Sequence, residues 1–267
     1  MSSLRSPLIT IVSIILIGLT PGVRAQTQTQ PPPASDLDAI RKELAAIRAQ
    51  QEAMQKDITA IKNLLSGQAQ AARPSGPQLP PSLNITGRPS KGSPQATVVM
   101  VEFTDFQCPY CRSYVASIFP EIDKDYIKTG KIRYVVKNLP LQQIHPQAYQ
   151  SAMAAMCAAD QGRFWEMHDR LFANQRQLDP DQLQKYASES GADKGKYKSC
   201  VASKAPETMI REDVEEASQA RIGGTPAFIL ATAGADGASI VPGRIIIGAQ
   251  PYSTFKNALD SLLSASK

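Results

Sequence analysis

The chain has 267 residues, 42% of them hydrophobic and 20% charged, enough for one sizeable core and little more. The 20 prolines, several of them clustered, are too many for one compact domain and mark tail or linker sequence. A net charge of +5 without a dense Lys/Arg run excludes a nucleic-acid stripe, and 4 cysteines exclude a disulfide-dense mini-scaffold. Residues 1–25 read as a secretory signal, with Arg5 as a thin positive region and residues 8–20 as a short apolar run. Val23-Arg24-Ala25 then offers small residues at the two positions a signal peptidase inspects. The apolar run is shorter than the roughly 20 residues of a spanning helix; an uncleaved membrane anchor is the alternative. Export, to the periplasm or beyond, lets cysteines form lasting disulfides.

Residues 26–35 (QTQTQPPPAS) form a polar, Pro-rich disordered tail. A helix is expected over 36–65, with Ser35 as N-cap. Leu37, Leu44, Ile58 and Leu65 fall at heptad position a and Ile40, Ile47, Met54 and Ile61 at d, with the polar Gln51 at the remaining a. The g residues Asp36, Glu43, Gln50 and Asp57 would face Arg41, Arg48, Gln55 and Lys62 at e of a parallel neighbour, with no like-charged pair. An antiparallel homo-dimer would set like charges together. The pattern predicts a parallel homo-oligomeric coiled coil, and Leu at a with Ile at d favours three or four chains over two. A single amphipathic helix packed on its own domain is the alternative. Residues 66–91, rich in Gly, Pro, Ser and Gln, read as a linker.

A β-branched run over 96–103 reads as a strand buried on both faces. Directly after it comes Cys108-Pro109-Tyr110-Cys111 and an amphipathic segment, so the CxxC lies at a strand-to-helix junction. Cys108 then sits at a helix N-cap, where free N–H groups and the helix dipole favour a thiolate. Pro109 suits the first helical turn. Cys111, one turn in, can reach Cys108 while being less open to solvent. That asymmetry suits thiol–disulfide exchange, with Cys108 attacking and Cys111 resolving. A zinc site drawing on all four cysteines lacks a second close pair, and a structural CxxC disulfide would constrain the unfolded chain very little. Copper(I) on the pair is a further possibility.

The segments GSPQATVVMVEFTDFQCPYC (92–111), QGRFWEMHDRLFANQ (161–175), IGGTPAFIL (222–230) and IIIGAQPYSTF (245–255) resemble the DsbA-like branch of the thioredoxin superfamily. The resemblance covers 92–267 and leaves out the heptads. It implies an α/β fold, a thioredoxin core with an inserted α-helical domain at about 146–220, here preceded by the coiled-coil helix. It implies a cis-proline loop at Thr225-Pro226 that binds substrate backbone beside Pro109 and Tyr110. It also implies a buried proton-relaying acid at Glu102, for which an edge-strand surface acid is the alternative. Cysteine-containing protein substrates, no diffusible cofactor and a membrane or soluble redox partner follow from the same resemblance. The strongest oxidase of the branch resembles CPHC; Tyr110 in place of that His predicts a less oxidising pair. CPYC with Thr before the cis-proline is closer to the isomerase and reductase members (DsbG- and ScsC-like), several of which oligomerise through an N-terminal region.

Strands are further expected over 131–137, 227–230 and 244–248, and helices over 147–160, 164–172, 181–190, 207–220 and 252–263. Cys157 and Cys200 fall in the insertion, where an oxidising compartment favours a structural disulfide over two separate buried thiols. Met153, Met156, Trp165 and Met167 read as core. His145 and His168 have no ligand-spaced partner and are assigned no metal.

Overall fold

The computed structural model describes residues 34–71, 76–234 and 239–266; the expected signal sequence lies outside them. The chain divides into two units, residues 1–72 and 73–267. Among the described residues of the first, the helix α1 (Ala34–Ala71) carries the heptads. Leu37, Ile40, Leu44, Ile47, Met54, Ile58 and Ile61 are all exposed along it. Arg41 bonds Asp38 on its own helix at 3.2 Å. The helix runs six residues past the expected end, because the Gln and Ala of 66–71 are good helix formers and one glycine costs only about 1 kcal/mol.

The second unit is built on a six-stranded sheet of order β1-β6-β5-β3-β4-β2. Its central strand β3 (Val98–Thr104) is buried at all seven positions, Glu102 and Thr104 included. β3 pairs in parallel with β4 (Ile132–Asn138), through a crossover of α2 (Pro109–Ser117), α3 (Phe119–Ile122) and a π-helical turn Asp123–Ile127. The insertion follows as α4 (Ala148–Ala159), α5 (Phe164–Ala173), α6 (Pro180–Glu189), α7 (Lys194–Ser203) and α8 (Glu207–Gln219). The antiparallel strands β5 (Ala227–Ala233) and β6 (Ser239–Ile247) and the helix α9 (Tyr252–Ala265) complete the fold. This is a thioredoxin sheet with a helical insertion. α7 is absent from the sequence expectation because KGKYKSCVAS is polar and contains Gly195. It starts where the Asp193 carboxylate accepts from Lys196 N at 2.7 Å. A Cys157–Cys200 disulfide ties α4 to α7.

The stretch expected to be linker is part of the sheet. β1 (Leu83–Asn84) pairs with β6 and β2 (Ser90–Gly92) with β4, so the segment supplies strands at both edges. Strands of two and three residues are too short to show periodicity, which is why composition alone suggested a tether. Leu83 and Ile85 are 1% exposed and join Val101, Phe103 and Ala217 in one layer of core. Arg88, also buried, bonds Asp213 on α8 at 3.0 Å and Glu212 at 2.9 Å. Asp213 further accepts from Lys137 Nζ at 3.0 Å and from the Asn138 N–H at 2.9 Å. The other face of β3 carries Val98, Met100 and Glu102 toward α2, α9 and the insertion.

Candidate functional site

Four residues, Asp105 to Cys108, separate the end of β3 from α2, and they are held from both sides. Asp105 Oδ1 accepts from Gln107 N at 2.7 Å, a side-chain turn that redirects the chain. Its Oδ2 binds Leu141 N at 2.9 Å and His145 Nδ1 at 2.8 Å, and its carbonyl accepts from Cys108 N at 3.0 Å. From the insertion, Gln175 Nε2 donates to the Phe106 and Cys108 carbonyls, both at 2.9 Å, and Gln147 N donates to Gln107 Oε1 at 2.8 Å. None of Asp105, Gln107, Gln147 and Gln175 was singled out from the sequence. Each acts through a contact more than 30 residues away, or through a backbone group, and neither leaves a spacing signature.

Cys108 is the N-cap of α2, at φ −72° and ψ 123°, with Pro109 in the first helical position. Cys108 and Cys111 are unbonded thiols, 3% and 0% exposed. The Cys108 Sγ lies 3.3 Å from the Thr225 carbonyl, and the Thr225–Pro226 peptide is cis. A hydrogen bond from Cys111, with help from Thr225 and the Tyr110 and Cys111 backbone, holds Cys108 down at about 6 against desolvation. Burial, then the shared bond to Cys108 and the charge of Glu102, push Cys111 well above the ordinary thiol. Pro109 and Tyr110 are exposed at the rim, Tyr110 by 68%.

Glu102 lies on the central strand and is fully buried, so the edge-strand alternative does not hold. Its Oε2 accepts from the Tyr134 hydroxyl, which also lies 3.2 Å from the Tyr114 hydroxyl; its Oε1 has no hydrogen-bond partner. Burial raises its proton affinity, and Tyr134, His168 and Thr104 work against that rise. The two tyrosines escaped the sequence reading because only the register of β4 on β3 brings Tyr134 to the acid. His168 is 1% exposed inside an aromatic cluster, with Nδ1 2.8 Å from Asp169 Oδ1. Cys157 and Cys200 are bonded to each other, so a four-cysteine zinc site does not form. Among the described residues no group of three or more His, Cys, Asp or Glu is placed to hold a metal.

Residues 84–261 match the thioredoxin family. The chain belongs to that family. The chain is 39% identical over 140 residues to the Na(+)/H(+) antiporter NhaA 3 of Salinispora tropica, covering 52% of this chain and 21% of that protein. It is 31% identical over 105 residues to disulfide bond formation protein D of Bacillus subtilis, covering 39% of this chain and 46% of that one. The chain thus spans about a fifth of the length of the curated antiporter it matches and under half of the disulfide-forming protein. Among the described residues no helix is long and apolar enough to cross a membrane. Among solved structures, oxidised BdbD from Bacillus subtilis superposes with a TM-score of 0.59 at 22% identity, over 71% of this chain and 98% of that one. The thioredoxin domain therefore has the DsbA-type fold, with its helical insertion.

Proposed function

We propose that the protein is a thiol–disulfide oxidoreductase acting on cysteine-containing proteins through Cys108 and Cys111. The carrying observation is the opposed ionisation of two free thiols one helical turn apart, Cys108 held at about 6 beside the cis-proline loop and Cys111 pushed up behind it. The Cys108 thiolate attacks a client disulfide, one client sulfur leaves, and Cys111 then displaces the client to close the Cys108–Cys111 disulfide. Run in reverse, the same exchange oxidises a client dithiol. Thr225 and Pro226 bind the client backbone, Pro109 and Tyr110 line its approach, and Glu102 relays a proton to or from Cys111. The electron pair travels on sulfur, so the reaction uses no diffusible cofactor; a membrane or soluble redox partner restores the pair. Arrival in an oxidising compartment, by the signal at 1–25, is part of this reading.

Isomerase or reductase work is favoured over oxidation. An attacking thiol at about 6 is less acidic than the roughly 3.5 of the strong oxidase DsbA. A less stabilised thiolate favours the reduced form less, so the pair should be less oxidising than that oxidase, which lies at about −120 mV. Equilibration against glutathione with thiol trapping tests this. A value near −120 mV assigns the protein to disulfide introduction, and no exchange at all overturns the proposal. The exposed stripe of α1 supports a second element, assembly of three or four chains as a parallel coiled coil. A holdase without redox turnover makes a contrary prediction: Cys108→Ser protein would then protect an aggregating client as well as the wild type does.

A further inference from the structure

Glu102, Tyr134 and Tyr114 come from β3, β4 and α2, and all three are 0% exposed. Two hydrogen bonds link them in a row, Tyr114 to Tyr134 at 3.2 Å and Tyr134 to Glu102 Oε2. The Tyr134 hydroxyl has one hydrogen, and a carboxylate is the stronger acceptor. That hydrogen goes to Glu102, so the Tyr114 hydroxyl donates to Tyr134. The Tyr134 bond, backed by Tyr114, is thereby spent on Oε2, while Oε1 is buried with no partner. A buried carboxylate oxygen left empty is costly, and a proton on Oε1 removes the cost. The groups facing Glu102 are Tyr134 from β4, Tyr114 and Cys111 from α2, Cys108 at the cap of that helix, His168 from α5 and Thr104 from its own strand.

Resting on the exchange reaction proposed above, we propose that Tyr134 is a positioning residue: it fixes Glu102 Oε2 as an acceptor and reserves Oε1 as the atom that exchanges a proton with Cys111. In the resolving step the Cys111 S–H proton passes to Oε1. The Cys111 sulfur attacks Cys108 Sγ in the mixed disulfide, and the Cys108–Cys111 bond forms. The client sulfur leaves with the bonding pair and takes a proton from water. In the opposite direction Oε1 returns the proton to the Cys111 thiolate as the client attacks Cys108. The Tyr134 bond favours the charged carboxylate, so it lets Glu102 accept the proton at a lower pH than a buried acid otherwise would.

The test is the pH profile of the resolving step in the full-length protein, using a mixed disulfide between Cys108 and a short cysteine peptide. Tyr134→Phe moves the half-maximal pH upward by about one unit, about tenfold slower resolution below the midpoint. Glu102→Gln removes that limb of the profile, and adding Tyr134→Phe to it changes nothing further. A Tyr134→Phe profile that overlays the wild type overturns the proposal; so does an equal slowing in the Glu102→Gln background. Tyr114→Phe, which leaves Tyr134 in place, gives a smaller shift of the same sign and decides the matter alone if Tyr134→Phe does not fold. The carboxyl stretch that vanishes in Glu102→Gln, followed by infrared titration, judges Tyr134 without turnover. A wild type that forms no mixed disulfide overturns the exchange reading, while this band still shows whether Tyr134 sets the acid.

Discussion

Cys108 and Cys111 have the same side chain three positions apart, and their surroundings drive their proton affinities in opposite directions. Cys108 caps a helix and receives hydrogen bonds; Cys111 is sealed in the core beside a carboxylate. The alkylation rate of the reduced protein by iodoacetamide should rise with a midpoint near pH 6 and level off, and Cys108→Ser should abolish that limb. Linkage gives the sign for stability. The folded value of Cys108 lies below the ordinary 9.0, so its contribution is full above about pH 9 and is lost as pH falls through about 6. Denaturation of reduced wild type against reduced Cys108→Ser should show the gap widening from pH 6 to 9. Tyr110→His places an imidazolium beside the thiolate and should move the alkylation midpoint below 6. At this scale the sequence was most informative, because the CxxC, its proline and the Thr-Pro pair are local in the chain. Tyr134 and Gln175 were not legible, since each acts across more than 30 residues.

The elements divide by how far their stabilising contacts reach. β3, β4 and the helices of the insertion other than α7 announce themselves by apolar or periodic runs. β1 and β2 do not, because an edge strand of two or three residues is held by a partner strand and by Arg88 rather than by its own pattern. Arg88→Ala leaves the buried Asp213 with Lys137 as its cationic partner, beside the neutral Asn138 N–H, and should cost about 3 kcal/mol in urea unfolding. Loss of under about 1 kcal/mol would show the pair to be no stronger than a surface one. The Cys157–Cys200 bond, with a sequence separation of 43, constrains the unfolded chain by about 4 kcal/mol in the entropy model. Replacing both by Ser should lower stability toward that amount and leave the Cys108 alkylation midpoint unchanged, because the bond sits on α4 and α7.

For the whole molecule, the exposed stripe of α1 sets the expected stoichiometry. Light scattering should give three or four chains for the full-length protein and one after deletion of 36–65; a single chain in both overturns the coiled-coil reading. Arg41 already bonds Asp38 within its helix, so its pairing with Asp36 of a neighbour exchanges one exposed contact for another and adds under about 1 kcal/mol. In the proposed coiled coil the apolar seam would therefore govern assembly, and the charges its direction. An assembled protein would hold several Cys108–Pro226 surfaces near one client at high effective concentration. The sheet carries a different lesson for anyone preparing the catalytic part alone. A fragment cut at Gly92, where the family resemblance begins, would strip β1 from β6 and most of β2 from β4, leaving both rims of the sheet unsheathed. Such a fragment should stick to copies of itself through its bare strand edges, whereas one beginning before Gln78 keeps its own selvedge and stays dispersed.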